Sequence, residues 1–328
     1  MDNLLEIKNL TVKLMTARGL VHALSGVNLS LRRGEIHGLV GESGCGKSMT
    51  SKSVLRLHNA RRSKMTGEIL FDGRDLLTLS DREMEALRGV RISMIFQDPM
   101  TSLNPLMTIG SQIAEMYRHH CRDNKQTARQ KAIAMLEKVG IQPAEKRYDQ
   151  YPFELSGGMQ QRVMIAIALA CSPDLLIADE PTTALDVTIQ AQILELLKEL
   201  QSSMKMSILL ITHNFGVVAE ICDRVSVMYA GSIVETGDTN TVLQNPQNPY
   251  SQSLIRSIPS ETGRIGHLLT VPGSPPELFD VMDACSFAPR CDLVAAACLS
   301  NAPTLRSCGT NGHIAACHYI GQGKGGAV

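Results

Sequence analysis

Eight residues close to the N-terminus have the types and the spacing of a phosphate-binding loop. They follow the form G-x-x-x-x-G-K-S and are Gly41, Glu42, Ser43, Gly44, Cys45, Gly46, Lys47 and Ser48. The glycines let successive N–H groups point at phosphate oxygens, Lys47 would reach the β- and γ-phosphates, and the Ser48 hydroxyl would ligate Mg²⁺. The apolar run Ile36–Val40 before the loop has strand composition, and residues 47–57 after it can form a helix, as this motif requires. A glycine-rich turn that binds nothing would explain neither the Lys-Ser pair nor its surroundings.

A second candidate group consists of two carboxylates at the end of an apolar strand. Residues 175–178 are apolar, and Asp179 and Glu180 follow them. Such a strand delivers carboxylates to the carboxyl edge of a parallel sheet, where ligands bind. Asp179 would hold Mg²⁺ and Glu180 would polarise an attacking water, while a solvated strand end is the alternative. The next core strand, Ser207–Thr212, precedes His213, although a lone histidine is more often structural than catalytic.

A serine followed by two glycines predicts a second anion site. Ser156 is a candidate N-cap, and Gly157 and Gly158 leave N–H groups open ahead of the apolar helix predicted over 163–170. Taken alone, this pattern is usually only a helix cap. Its position immediately before the acidic strand favours an anion site.

Length, charge and composition narrow the class of protein. The 328 residues suffice for one large α/β domain and a smaller module. Lys+Arg and Asp+Glu are both 32, and this neutrality argues against a broad basic face for nucleic acid. No apolar run approaches the ~18 residues of a membrane span, and the N-terminus lacks the basic region of a secretory signal. We therefore expect a cytosolic protein that contacts a membrane through a partner.

The remaining pattern predicts the elements that position these groups. Apolar and polar residues alternate over 3–35, and again over 67–71 ahead of an Asp-Gly turn, which predicts an antiparallel sheet beside the nucleotide core. Residues 91–96 form a core-strand candidate. Residues 107–150 are predicted as helices, inserted between two halves of a nucleotide-binding domain.

With these motifs in order, the chain resembles the ATP-binding cassette (ABC) ATPases over residues 4–258. The matching motifs are the loop 41–48, Gln97, the signature at 155–161, Asp179 with Glu180, the corner Ala184-Leu185-Asp186, and His213. The resemblance implies an α/β fold with a P-loop NTPase core, an antiparallel β subdomain and a helical subdomain. It implies an ATPase domain over 1–258 with its helical insertion at about 98–160. It also implies hydrolysis of ATP to ADP and phosphate with Mg²⁺ as cofactor.

The resemblance further implies a role for each motif residue. Two cassettes of this family pair head to tail, so that Ser156 and Gly158 would contact the γ-phosphate held by the partner's loop. Glu180 would be the catalytic base, His213 would clamp the γ-phosphate, and Gln97 would sense it and couple to the membrane subunit. The implied nucleotide-binding residues are the loop 41–48, Ser156, Gly157, Gly158, Gln160 and Asp186, and the implied Mg²⁺ ligands are Ser48, Gln97 and Asp179.

The chain departs from the family at the adenine contact. The family usually stacks adenine on an aromatic residue just after the first strand, but residues 10–24 contain no Phe, Tyr or Trp. Arg18 falls near the expected place, so adenine recognition would be weak or would use a cation–π contact.

A finer resemblance is to the peptide/nickel branch of bacterial importers. It is carried by residues 96–105, 177–188, 248–250 and 285–291. In that branch a periplasmic or extracellular binding protein hands solute to two membrane permease subunits, which two ATPase subunits power. This implies a second ATPase subunit, with a paralogue favoured, and a place at the cytoplasmic face of the inner membrane. Dipeptides, longer peptides, nickel chelates and glutathione-like molecules all remain open as cargo.

The C-terminal part of the chain is rich in cysteine. Past a boundary near Pro259, the predicted module over 259–328 carries Cys285, Cys291, Cys298, Cys308 and Cys317, followed by His318. In a reducing cytosol such density favours a metal over disulfides, and the spacings are too long for common zinc ribbons. Importers that this chain resembles carry a 4Fe-4S cluster on the cysteines that match Cys285, Cys291, Cys298 and Cys317. Zinc, with His313 or His318 as a ligand, and the absence of any metal are the alternatives.

Two functions of other classes compete with the importer. A soluble cassette protein acting on nucleic acid or ribosomes would resemble tandem cassettes or carry long coiled-coil insertions. This chain has one cassette, no heptad run and a formal charge of zero. A metal-sensing regulatory protein, with a secondary ATPase activity, would depend on the cysteine-rich module.

Overall fold

The computed structural model describes residues 2–183, 185–257, 271–279, 283–309 and 312–320. The strands of this part of the chain are β1 (Asn3–Thr16), β2 (Gly19–Arg32), β3 (Ile36–Val40), β4 (Ser63–Phe71), β5 (Arg74–Asp75), β6 (Ile92–Ile95), β7 (Leu175–Asp179), β8 (Ser207–Thr212), β9 (Arg224–Tyr229), β10 (Ser232–Asp238), β11 (Leu305–Ser307) and β12 (Ile314–Ala316). Its helices are α1 (Lys47–Val54), α2 (Asp81–Leu87), α3 (Pro99–Ser102), α4 (Ile109–His120), α5 (Lys125–Lys138), α6 (Ala144–Tyr148), α7 (Gly157–Leu169), α8 (Val187–Met204), α9 (Phe215–Ile221), α10 (Thr239–Gln244), α11 (Pro249–Arg256) and α12 (Ala296–Ser300). Two compact units contain these elements.

The first unit, called the helical unit, contains residues 32–35 and the described residues of 78–211, together with Asp2. Its strands β6, β7 and β8 are parallel, with Ile92 opposite Leu175 and Leu175 opposite Ser207. Every residue of β7 is buried, as expected for a parallel strand covered on both faces. Because parallel strands end at one edge, the residues that follow β6 and β7 lie side by side.

The second unit, called the phosphate-loop unit, contains residues 3–31, 36–77 and the described residues from Thr212 onward. Its antiparallel sheet has the strand order β2-β1-β4-β5, with Leu5 opposite Phe71. In its other sheet β3 runs parallel to β9, and β10, β12 and β11 follow β9 in antiparallel order. The cysteine-rich tail therefore adds two short strands to the sheet that carries the phosphate loop.

Several predicted elements are confirmed and others shift at their ends. Strands β3 and β8 have the predicted bounds, and the antiparallel sheet is present with longer strands than predicted. The helix after the loop ends at Val54, before the predicted end, because Arg56 takes a left-handed conformation at φ 50. The predicted boundary near Pro259 lies outside the described residues. Among the described helices, none combines the length and apolar character needed to cross a bilayer.

Candidate nucleotide site

The phosphate loop leaves the buried strand β3 and enters helix α1 within eight residues. All of β3 is buried, so the loop starts at a fixed place in the sheet. Gly46, just before the helix, has φ 112, which glycine adopts with little strain. A Cβ on Gly41 would overlap the carbonyl oxygen of Met228 on β9. The loop backbone therefore packs against the sheet at the place where the sequence predicts a phosphate cradle.

The Lys47 side chain folds into the loop. Its Nζ donates to the carbonyl oxygen of Gly41 at 2.7 Å and to that of Glu42 at 2.9 Å, and Lys47 is 5% exposed. These carbonyl contacts fix the ammonium at the centre of the loop. A positive charge held there favours the binding of an anion such as a phosphate group.

The loop also contains a buried thiol, that of Cys45. Burial raises its pKa above the ordinary value of 9.0, and the nearby Lys47 charge opposes this effect only in part. The thiol is therefore neutral at pH 7 and adds no negative charge that would repel phosphate.

Two residues from the C-terminal third of the chain, Tyr250 and Arg290, contact Glu42 of the loop. Arg290 binds the Glu42 carboxylate through two hydrogen bonds, and the Tyr250 hydroxyl accepts the backbone N–H of Glu42 at 2.9 Å. Sequence reasoning missed both residues as parts of the site. Each lies in a segment that carries the finer resemblance, but that signal assigns no role to an individual residue.

In the helical unit, the structure brings Gln97 and Glu180 together. Gln97 follows β6 and donates its Nε2–H to Glu180 Oε2 at 3.0 Å, and the Thr183 hydroxyl donates to the same oxygen at 2.8 Å. Asp179, at the end of β7, is buried. Glu180 itself has φ 49, a strained conformation for a residue with a side chain, and its N–H donates to Ile211 O at 2.9 Å. The glutamate is thus held in one orientation, a feature common at functional sites.

The signature turn, residues 156–160, contains the predicted N-cap of helix α7. The Ser156 hydroxyl accepts the N–H of Met159 at 3.4 Å, and both Ser156 and Gly157 are exposed. Gly158 packs closely against α8, since a Cβ there would lie 2.7 Å from Ile189 Cγ2. Gln160 donates its Nε2–H groups to Pro152 O at 2.8 Å and Leu155 O at 3.3 Å. Its amide therefore braces the backbone that leads into the turn.

Asp186 and His213 lie at element ends. Asp186 caps helix α8 and accepts the N–H of Ile189 at 2.9 Å. His213 follows β8 directly and is exposed. Ala184, the first residue of the predicted corner, lies outside the described residues.

Arg18, the residue near the expected adenine position, is engaged with the tail. Its guanidinium pairs with Glu277 at 3.2 Å and lies over the ring of Phe279, 5.2 Å from the ring centroid. The guanidinium that the sequence offers for a cation–π contact with adenine therefore makes its cation–π contact with Phe279 in this structure.

The four cysteines singled out in the tail surround one small cavity. They are Cys285, Cys291, Cys298 and Cys317, and the cavity has a volume of about 20 Å³ and is also lined by His318. Cys308 does not line it, and His313 binds Glu235 at 2.8 Å. Burial raises the pKa of the thiols of Cys285, Cys291 and Cys317. Within the described chain, no three or more His, Cys, Asp or Glu residues are arranged to hold a metal ion.

The predicted site residues thus form two groups, one in each unit. The loop 41–48 and His213 belong to the phosphate-loop unit, and Gln97, Asp179, Glu180, the signature turn and Asp186 belong to the helical unit. That the two groups share a nucleotide remains a prediction.

Comparison with known proteins places the chain in a family. A family model described as ABC transporter matches residues 24–183, and a model of the C-terminal region of oligopeptide/dipeptide transporters matches residues 234–298. The chain is 49% identical over 318 residues to the probable peptide ABC transporter ATP-binding protein y4tR of Sinorhizobium fredii, covering 96% of this chain and 95% of the relative. It is 50% identical over 292 residues to the dipeptide transport ATP-binding protein DppD of Bacillus subtilis, covering 89% and 87%.

A solved ATP-binding cassette structure is also similar to this chain. The ATP-binding cassette MJ0796, a dimer in a post-hydrolysis state bound to ADP and Pi, has a TM-score of 0.64 and 29% identity, covering 72% of this chain and 98% of that one. With the phosphate loop in its strand–loop–helix setting, these similarities show that the chain belongs to the ABC transporter family, as an ATP-hydrolysing subunit of the oligopeptide/dipeptide transporter type.

Proposed function

We propose that the chain hydrolyses ATP to drive uptake of dipeptides and oligopeptides through partner membrane subunits. The observation that carries this proposal is the similarity to peptide transport ATP-binding proteins over 96% of the chain, at 49% identity. The relatives' names support peptides over nickel chelates or glutathione-like molecules as cargo. The nucleic-acid, ribosome and metal-sensing alternatives have no support from these relatives.

In this proposal the phosphate-loop unit binds the nucleotide. Lys47 and the N–H groups of residues 41–48 hold the phosphates, and the N-terminus of α1 adds its partial positive charge. The oxygen atoms of Ser48, Gln97 and Asp179 are the donor types that Mg²⁺ prefers, so these residues would hold the ion. When bound, Mg²⁺ neutralises charge on the phosphate oxygens.

The helical unit supplies the groups that act on water. Glu180 accepts hydrogen bonds from Gln97 and Thr183 at one carboxylate oxygen, and this leaves it oriented to polarise a water for attack. His213, which belongs to the phosphate-loop unit, would hold the γ-phosphate in line with that water. Turnover then depends on Glu180, whereas binding of ATP does not.

The signature turn would serve the nucleotide of a second ATPase subunit. Ser156 and Gly157 are exposed at the start of α7, where open N–H groups attract an anion. Gln160 and Asp186 would support this surface by holding the preceding turn and the start of α8. The partners we propose are this second cassette, a paralogue by the resemblance, two permease subunits and a solute-binding protein, with the chain at the cytoplasmic face of the membrane.

We also propose that the thiol-lined cavity is where an iron–sulfur cluster would bind. Four thiols match a 4Fe-4S cluster in donor type and number. The cavity is small, and the described part of the chain forms no metal-ligand arrangement. Iron, acid-labile sulfide and zinc measured on the anaerobically purified full chain test this. Iron and sulfide in equal amounts support the cluster, and zinc or no metal contradicts it.

The proposed function is tested on the intact complex purified from its native membrane. We expect two multispanning subunits to copurify and peptides to stimulate ATP hydrolysis. Glu180→Gln should retain ATP binding and lose turnover. Copurification with ribosomes or nucleic acid in place of membrane subunits would contradict the proposal.

A further inference from the structure

The cysteine-rich tail reaches into the phosphate loop through one ion pair. Arg290 Nη1 lies 2.7 Å from Glu42 Oε2, and Arg290 Nη2 lies 2.9 Å from Glu42 Oε1. The Arg290 side chain is 5% exposed and that of Glu42 is 25% exposed. A bidentate pair shielded from water fixes both distance and orientation, which exposed pairs rarely do. The pair therefore ties residue 290 to the second residue of the loop.

The same guanidinium is anchored on its other sides. Its Nε donates to Pro272 O at 2.7 Å, its Nη2 to Val271 O at 3.2 Å, and its Nη1 to the Tyr229 hydroxyl at 3.3 Å. Every guanidinium nitrogen thus has a partner. Arg290 joins the tail at 271–272, strand β9 and the phosphate loop at one point.

A cluster of three rings supports this junction. The ring centroids of Tyr229 and Tyr250 lie 4.5 Å apart, and Phe287 of the tail lies 5.3 Å from Tyr229 and 5.4 Å from Tyr250. Tyr250, fully buried, also accepts the backbone N–H of Glu42. Glu42 is therefore held through its side chain and its backbone.

The residue held in this way is also one that holds Lys47. The carbonyl oxygen of Glu42 accepts from Lys47 Nζ at 2.9 Å. A shift of Glu42 would move one of the two carbonyl oxygens that fix the ammonium. The contacts run from Arg290 through Glu42 to Lys47 without a gap.

We propose that Arg290 is a positioning residue for the phosphate loop, so that the cysteine-rich tail forms part of the nucleotide-binding machinery. The inference rests on the proposed function, because it assumes that the loop binds ATP. Arg290 lies in the turn between Cys285 and Cys291, where Ala288 N–H donates to Cys285 O and Cys291 N–H donates to Ala288 O. A rearrangement of that turn would move Arg290 and, through its pair with Glu42, shift the phosphate loop.

The test is a double-mutant cycle on the full chain, read as affinity for a non-hydrolysable ATP analogue with Mg²⁺ by titration calorimetry. We expect Arg290→Ala to weaken binding about tenfold and Arg290→Lys to fall between it and the wild type, since lysine keeps the charge but lacks the fork. Glu42→Gln should weaken binding by several-fold. Glu42→Gln combined with Arg290→Ala should weaken binding no more than the worse single change, because the pair acts as a unit.

The control arginine is Arg129, which pairs with Asp149 at the surface of the helical unit at 3.3 Å. Arg129→Ala should leave affinity unchanged. In the assembled complex, Arg290→Ala should raise KM for ATP and leave kcat within about twofold, since positioning of the loop acts on binding. A general loss of folding would lower kcat through the fraction of active protein instead.

Wild-type affinity in both Arg290→Ala and Glu42→Gln, with binding lost in Lys47→Ala, would overturn the inference while the proposed function stands. Wild-type affinity in Lys47→Ala would overturn the proposed nucleotide site itself. If Arg290→Ala does not fold, Glu42→Gln decides the matter, because it removes the charge and preserves the size of the side chain.

Discussion

The two glycine-containing turns of this chain, the phosphate loop at 41–48 and the signature turn at 156–160, differ in how they are supported. Both precede a helix, and both are predicted to meet phosphate. Lys47 in the first is 5% exposed, whereas Ser156 and Gly157 in the second are exposed. A Cβ on Gly41 would overlap the backbone of Met228, while a Cβ on Gly158 would meet the side chain of Ile189.

The difference indicates how each turn would work. The phosphate loop is braced inside its own unit by β9, Tyr250 and Arg290, and its lysine is already in place. The signature turn is supported from the preceding backbone, where Gln160 donates to Pro152 O and Leu155 O. Its residues Ser156 and Gly157 are exposed. A turn built this way suits a ligand brought by another subunit.

The largest effect should come from removing the charge of the phosphate loop. Lys47→Ala should weaken ATP binding about 100-fold, because it deletes the ammonium at the centre of the loop. Lys52→Ala, on the exposed face of the same helix, is the matched control and should bind ATP normally. Titration calorimetry measures both, and equal affinities for the two variants would show that Lys47 does not bind the phosphates.

Backbone crowding gives the next largest effect. Gly41→Ala should lower the free energy of unfolding by about 1–3 kcal/mol, because its Cβ would overlap the Met228 carbonyl oxygen. Gly44→Ala is the control: its Cβ would meet nothing within 4 Å, so only the strain of φ +79 remains, about 1 kcal/mol. Chemical denaturation of the full chain measures both values. A smaller loss for Gly41→Ala than for Gly44→Ala would be inconsistent with the tight loop.

At the signature turn, Ser156→Ala should cost about 1 kcal/mol of stability through loss of the N-cap. Thr108→Ala removes the equivalent cap of helix α4, where the Thr108 hydroxyl accepts the Ser111 N–H at 3.3 Å. The two variants should lose similar stability, yet only Ser156→Ala should slow ATP hydrolysis by the complete complex. Equal ATPase rates in the two variants would reduce Ser156 to a structural cap.

The smallest expected effect is a difference in the rate at which maleimide labels a thiol in each turn. This rate compares the exposure of the two turns. Cys45 is 2% exposed and burial raises its pKa, so it should react slowly with maleimide. Because the folded pKa of this thiol is raised, the neutral thiol contributes stability that is fully present below pH 9.0. That stability is lost as pH rises through the folded pKa. Fast labelling of Cys45 should therefore begin only above its folded pKa. A thiol introduced by Ser156→Cys should label quickly at pH 7.5 and become protected when ATP and the second cassette are added. Peptide mass spectrometry separates the two sites.

The features that could be predicted from the sequence are those that depend on neighbouring residues. The bounds of strands β3 and β8 agree with the prediction because each is a short, mainly apolar run. The Ser156 N-cap agrees with it because serine is a preferred N-cap residue ahead of an apolar helix. The Arg290–Glu42 pair could not be predicted, since its members are 248 positions apart and no local pattern connects them. The role of Gln160 as a brace was missed for a related reason, because the direction of its amide depends on the preceding turn.

The most direct test of the account is the association state of Glu180→Gln loaded with Mg²⁺ and ATP, measured by sedimentation velocity with the second ATPase subunit present. We expect a stable pair that forms with ATP and separates when ADP replaces it, because the exposed signature turn binds a nucleotide held by the partner. A chain that binds ATP and remains monomeric under these conditions would contradict it.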